Sequence, residues 1–134
     1  MRRRRPRVVI PVDPRKHAVA ELDRLRGSGV IHPDGAEAFS AEVSRILREF
    51  AAAVDPRLGT DLTTAELLDH LRRTGVREED VGSVAGALAH ADLAKFARTR
   101  PSPERALEDW EAARRWVQTF RTVDEDVPEP VGAG

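Results

Sequence analysis

The chain has 134 residues, no cysteine and a formal net charge of −1 at pH 7. This length suits one domain with its own apolar core, and the lack of cysteine excludes disulfides, thiolate zinc sites and cysteine nucleophiles. The near-neutral charge argues against a protein that covers nucleic acid with its whole surface, and a content of 40% hydrophobic and 34% charged residues is typical of a folded, soluble chain.

A basic segment opens the chain. Its arginines are followed by an apolar stretch at residues 8–10, whereas no apolar run is long enough to cross a bilayer. Clustered arginines are typical of the cytoplasmic side of a membrane helix, where they meet anionic lipid headgroups. We predict that residues 1–12 form a basic, partly extended arm, either a juxtamembrane segment on the membrane surface or a solvated arm. The residues predicted to contact lipid are Arg2, Arg3, Arg4, Arg5 and Arg7.

Two helices are predicted next. Asp13 followed by proline indicates an N-cap with proline at the first helical position, and this helix should end near Gly27. A second helix is predicted over residues 36–54, where apolar residues recur every three or four positions. It should end at Asp55, because a residue that precedes proline is disfavoured in helical conformation.

Three further helices follow. Thr63 and Glu66 have the spacing of a capping box, in which each side chain bonds to the backbone of the other residue, and Gly75 suits the end of this short helix. Acidic residues at 78–80 mark the first turn of the fourth helix, and Ser102 is the predicted N-cap of the last. We therefore predict a single all-α bundle of five or six helices over residues 13–123, followed by an acidic, disordered tail at 124–134.

The fourth helix carries a charged pair and an aromatic residue inside an apolar run. Asp92 lies three positions before Lys95 and four before Phe96, so all three fall on neighbouring parts of one helix face. We predict an Asp92–Lys95 ion pair and an internal contact of the Phe96 ring, which would make the segment a packing and orientation element. Removal of a buried Phe96 ring would cost about 3–5 kcal/mol.

The sequence contains no pattern that predicts catalysis. The four histidines lie in separate segments without the paired spacing of a metal site, and the glycines at 27 and 29 lack the strand and the Lys-Ser/Thr pair of a phosphate-binding loop. We predict no catalytic residue, no metal and no cofactor. Trp110 and Trp116 point in different directions on the last helix, so at least one is predicted to be exposed and to mark an interface.

Several segments together resemble a known family. They are residues 14–25, 46–50 (Ile-Leu-Arg-Glu-Phe), 63–67 (Thr-Thr-Ala-Glu-Leu), 92–97 (Asp-Leu-Ala-Lys-Phe-Ala), Pro101 and 116–117 (Trp-Val). The chain resembles the cytoplasmic helical region that follows the membrane anchor in BatD-like bacterial proteins, which are encoded beside MoxR-family AAA+ ATPases and von Willebrand factor A domain proteins in aerotolerance-type operons. The resemblance covers most of residues 7–123 and assigns no catalytic residue.

The resemblance implies a non-enzymatic protein–protein interaction module at the cytoplasmic face of the inner membrane, as part of a longer membrane-anchored protein. Its implied partner is a MoxR-like ATPase or a von Willebrand factor A domain protein. The alternative is a helical protein that binds nucleic acid through the arginine arm. A DNA-binding protein of that kind should have a basic recognition helix, whereas these helices balance Arg with Glu and Asp, so nucleic acid is the less favoured partner.

Overall fold

The computed structural model describes residues 13–28, 35–96 and 101–120. These ranges contain five helices and no strand: α1 (Pro14–Arg26), α2 (Ala36–Val54), α3 (Thr64–Arg73), α4 (Glu78–Phe96) and α5 (Pro103–Thr119). The predicted all-α bundle is confirmed. None of the described helices has the length and apolar character needed to span a membrane. The predicted arm at 1–12 and tail at 124–134 lie outside the described residues.

Local capping interactions start and end the helices. The side chains of Asp13 and Ser102 accept hydrogen bonds from backbone amides three residues on, at 3.0 Å and 3.1 Å. Gly75, just after α3, has a φ of 87°, a left-handed conformation that glycine adopts without steric cost. The starts and ends predicted from these residues are therefore confirmed to within about a residue.

Helix α2 lies at the centre of the bundle and packs against α1, α4 and α5, while α4 also packs against α3 and α5. The buried residues of α2 follow its apolar stripe, which has the period of a helix that faces a core on one side. They include Phe39, Val43, Ile46, Leu47 and Phe50. Because three helices cover this stripe, α2 is the element around which the others are arranged.

An aromatic cluster joins α2 to α5. The Phe50 ring meets the edge of Trp116 at a centroid distance of 5.6 Å, and Trp116 stacks on Phe120 at 4.5 Å. Trp116 is only 2% exposed as a result. Of the two tryptophans named as interface candidates, Trp116 is therefore not the exposed one, because its ring is already covered by the intramolecular junction between α2 and α5.

Trp110 holds α1 against α5 and keeps part of its ring at the surface. Its indole Nε1 donates to the Leu22 carbonyl at 2.7 Å, and the Arg26 guanidinium lies 5.1 Å from the ring centroid. Nearby, Arg114 pairs with Asp23 at 2.8 Å. Trp110 thus has an intramolecular role, and its predicted role at an interface stays a prediction.

Phe96 does not make the predicted internal contact. Its side chain is 74% exposed, and Leu93, one turn earlier, is 49% exposed. The buried stripe of α4 runs through Leu88, Ala91 and Ala94. Phe96 lies two residues beyond Ala94, about 200° further around the helix, so its ring faces away from the core.

The contrast between two phenylalanines tests this fold. Phe39→Ala should lower the free energy of unfolding by about 3–5 kcal/mol, because Phe39 is fully buried. Phe96→Ala should change it by no more than about 0.5 kcal/mol. Urea denaturation of both variants measures the difference, and Ile46→Val offers a milder core change of about 0.5–1.5 kcal/mol. An equal loss for the two phenylalanines would contradict the placement of Phe96.

Candidate functional site

A groove of about 710 Å³ lies between α2, the segment 60–64 and the C-terminal end of α4. Its walls combine small residues with charged ones, and Phe96 stands at one end. Four acidic and three basic side chains line it: Glu37, Glu49, Asp61 and Asp92 against Arg45, Arg48 and Lys95. The groove therefore has an apolar side chain, Phe96, beside charged side chains among which the acidic ones are one more than the basic ones.

A chain of hydrogen bonds closes the floor of the groove. Arg48 on α2 donates to the Leu62 carbonyl at 2.6 Å and to the Thr64 hydroxyl at 2.7 Å. Since the Thr64 hydroxyl accepts from Arg48, its own proton goes to the Asp92 carboxylate, 2.6 Å away on α4. The Arg48–Thr64–Asp92 chain thus connects α2, the start of α3 and α4.

The predicted Asp92–Lys95 ion pair is wrong. Among the described residues Asp92 bonds to Thr64, and the Lys95 ammonium lies 5.1 Å from the centroid of the Phe96 ring. The two side chains diverge because Asp92 turns towards α3, whereas Lys95 is exposed at the end of α4. Lys95 and Phe96 together form a cation–π pair at the surface, an arrangement that contributes about 0.5–1 kcal/mol when exposed.

The capping box of α3 positions Thr64. The Thr63 hydroxyl accepts from the Glu66 amide at 3.1 Å, and the Glu66 carboxylate accepts from the Thr63 amide at 2.9 Å, as predicted. This backbone bond to the ionised form holds the pKa of the Glu66 carboxyl below its ordinary value. Because Thr64 follows the cap directly, the capping box orients the residue that joins Arg48 to Asp92.

Arg45, on the α2 wall of the groove, is surrounded by carboxylates. Arg45 bonds to Glu42 at 2.8 Å, to Glu49 at 2.9 Å and to Glu21 of α1 at 3.1 Å. These bonds, above all the one from Glu42, raise the pKa of Arg45 above its ordinary value. One guanidinium thus faces three carboxylates, of which Glu49 also lines the groove.

A partly buried pair joins α4 to α5 away from the groove. His90 Nδ1 lies 2.7 Å from a carboxylate oxygen of Asp109, which is a buried residue, whereas His90 is half-buried. Burial raises the pKa of the Asp109 carboxyl, while the bond to His90 opposes that rise. The positions of His90 and Asp109 in the sequence do not by themselves predict this pair. One feature of the sequence does indicate a buried polar contact here, because Asp109 is a charged residue on the apolar stripe of α5, between Ala106 and Ala113.

A second polar contact fixes the turn after α2. Asp55 accepts from the Arg57 amide at 3.0 Å and from its guanidinium at 2.9 Å, and His70 Nε2 lies 3.8 Å away. The Arg57 guanidinium and amide hold the pKa of the Asp55 carboxyl below its ordinary value. Asp55 therefore both ends α2 and stabilises the loop that leads to α3.

The polar contacts described above stabilise the fold. The lining of the groove consists of charged and apolar side chains. Each bonded set links two helices or caps one, and no group of three or more His, Asp or Glu in the described part of the chain could hold a metal ion. Comparisons with protein families, with curated proteins and with solved structures find no match for the chain. The resemblance to BatD-like proteins stays a prediction.

Replacement of Thr64 tests the hydrogen-bond chain. Thr64→Val should lower the free energy of unfolding by about 1 kcal/mol, because it removes the group that both Arg48 and Asp92 contact. Thr60→Val, at an exposed position in the same groove, is the control and should change stability by less than about 0.5 kcal/mol. A double-mutant cycle with Asp92→Asn should give a coupling of at least about 0.5 kcal/mol. Strict additivity would show that the chain does not act as a unit.

The Asp55 contacts predict a pH dependence of stability. Because folding lowers the pKa of Asp55, its contribution is complete above the ordinary carboxyl pKa of about 4 and is lost as the pH falls through the folded value. Asp55→Asn should cost roughly 1–3 kcal/mol at pH 7, and its difference from wild type should shrink below about pH 4. Urea denaturation across this range measures both, with Asp69→Asn as a control, since Asp69 forms a surface pair with Arg73. A difference that stays constant in acid would refute the assignment.

Proposed function

We propose that the chain is a non-enzymatic protein–protein interaction module at the cytoplasmic face of a bacterial membrane, and that it works with a MoxR-type AAA+ ATPase and von Willebrand factor A system. One observation carries the proposal: Leu93 and Phe96, the two exposed large hydrophobic side chains of the described residues, lie one turn apart on α4, and Phe96 lines the groove. Exposed aromatic side chains beside a groove are typical of binding surfaces.

The energetic gain from covering these side chains is substantial. Burial of apolar surface contributes about 25 cal/mol per Å², so a Phe ring and a Leu side chain that become buried at an interface stabilise it by several kcal/mol. Within the domain much of this stabilisation is not realised, because Phe96 is 74% exposed and Leu93 49% exposed. A partner that covers them therefore gains binding energy without disturbing the core of the bundle.

The charges of the groove define the partner segment. Glu37, Glu49 and Asp61 line it, and Glu42 bonds to Arg45, another lining residue. A segment with an apolar anchor for Phe96 and a basic side chain for this wall is complementary to it. The occupant of the groove is accordingly a basic, amphipathic segment of the partner protein.

The resemblance to BatD-like proteins supports the choice of partner, since those proteins are encoded beside a MoxR-family ATPase and von Willebrand factor A domain proteins. The charges of the body disfavour the nucleic-acid alternative. Acidic side chains outnumber basic ones among the described residues, and α4 begins with Glu78, Glu79 and Asp80. A phosphate backbone would meet net repulsion on such a surface.

Binding to the purified ATPase and von Willebrand factor A protein of the source genome tests the proposal. Phe96→Ala should weaken the complex by about 2 kcal/mol, roughly 30-fold in Kd, without loss of thermal stability. Arg73→Ala, an exposed change on α3 outside the groove, is the control and should leave Kd unchanged. Calorimetry measures the Kd values. Failure of both proteins to bind, or recovery of nucleic acid by the chain in their place, would refute the proposed function.

A further inference from the structure

We propose that two copies of the chain form a symmetric dimer in which the Lys95 and Phe96 side chains of each copy enter the groove of the other copy. The dimer does not rest on the proposed function, and a partner protein that occupies the groove would bind the dissociated chain. Three observations support the dimer: the mixed charge of the groove lining, the lining charges that lack an ion pair in the described part of the chain, and the exposed ring beside a cation.

The mixed charge of the lining is the first observation. Among the side chains that line the groove, acidic and basic ones are nearly equal in number. A twofold axis brings a surface against an identical one, so a symmetric interface must contain both members of every complementary pair. A lining of a single sign would repel its copy. This lining therefore meets the charge requirement for association with a second copy.

The second observation concerns which of these charges are already paired. Four charged lining residues bond within the chain: Arg45 to Glu49 by a salt bridge, and Arg48 to Asp92 through Thr64. The other three are Glu37, Asp61 and Lys95, all of them exposed, and no salt bridge holds any of them within the ranges that the structure describes. In a symmetric dimer, Lys95 of each copy can meet the Glu37 and Asp61 carboxylates of the other. One reciprocal contact thus pairs the charges that each copy leaves without a salt bridge.

The third observation is the apolar anchor beside the cation. The Phe96 ring is 74% exposed, and the Lys95 ammonium lies 5.1 Å from its centroid. The end of α4 therefore presents a ring and a cation together, and the groove of about 710 Å³ has small side chains, Ala41 and Ser44, on its α2 wall to receive the ring. An aromatic side chain buries about 150–250 Å². Because the symmetry repeats the contact, two rings leave water when one dimer forms.

The size of the interface predicts a reversible dimer. Permanent dimers bury more than about 2,000 Å² in total, whereas this contact is limited to one groove and one ring on each copy. We expect monomers and dimers to exchange, with the dimer favoured as the concentration rises. Salt screens exposed charge pairs, so added salt should shift the equilibrium towards the monomer.

Sedimentation velocity of the full chain over a concentration series measures the Kd of the dimer. The wild-type chain should dimerise, and Phe96→Ala should raise the Kd at least about 30-fold, because each dimer loses both rings. Arg73→Ala, an exposed change on α3 outside the groove, is the control and should leave the Kd unchanged. Thermal melts check that both variants remain folded. A wild-type chain that stays monomeric at millimolar concentration, or an unchanged Kd for Phe96→Ala, would overturn the proposal.

An exchange of charges tests the reciprocal pairing. Lys95→Glu in one chain, and Glu37→Lys together with Asp61→Lys in a second chain, should each raise the Kd at least about tenfold, because like charges then face each other. An equimolar mixture of the two chains should form a heterodimer with a Kd near that of wild type, since both contacts again join opposite charges. Lys16→Glu, a charge reversal at the exposed lysine of α1, is the matched control and should leave the dimer intact. Failure of the mixture to dimerise would overturn the proposal.

Discussion

The burial of the α2 apolar stripe is the constraint on which the rest of the structure depends. Phe39, Val43, Leu47 and Phe50 are covered by α1, α4 and α5, so the positions of those three helices are set by one surface. The polar side of α2 lies opposite this stripe. Arg45, Arg48 and Glu49 on that side become one wall of the groove, which is thus a direct consequence of how the core is built.

Much of the fold follows from local signals. The N-caps at Asp13, Thr63 and Ser102 and the glycine after α3 act through bonds within four residues of each other, and sequence spacing is sufficient to identify them. The internal contact predicted for Phe96 from its helical spacing was wrong. Helical spacing shows which side chains share a face, but which face meets the core depends on the other helices, and here Ala91 and Ala94 take the inward positions.

The contacts within the candidate site could not be predicted from the sequence. Arg48, Thr64 and Asp92 are separated by 16 and 28 positions, and only the packing of α2, α3 and α4 brings them together. The His90–Asp109 pair likewise spans two helices. The sequence alone does not show whether Trp116 belongs to the core or to an interface, because a large aromatic residue on an amphipathic helix suits either equally well. The structure assigns it to the core, where it contacts Phe50 and Phe120.

The core holds α2 and α4 in place, the Arg48–Thr64–Asp92 chain fixes the floor of the groove, and Phe96 is left exposed; the proposed function makes this ring a contact for a protein segment. Amide hydrogen exchange of the full chain, with and without the MoxR-type ATPase or the von Willebrand factor A protein, tests this account most directly. It predicts that binding slows exchange at residues 60–66 and 91–96. Protection confined to α1 and α5 around Trp110, with no change along the groove, would contradict it.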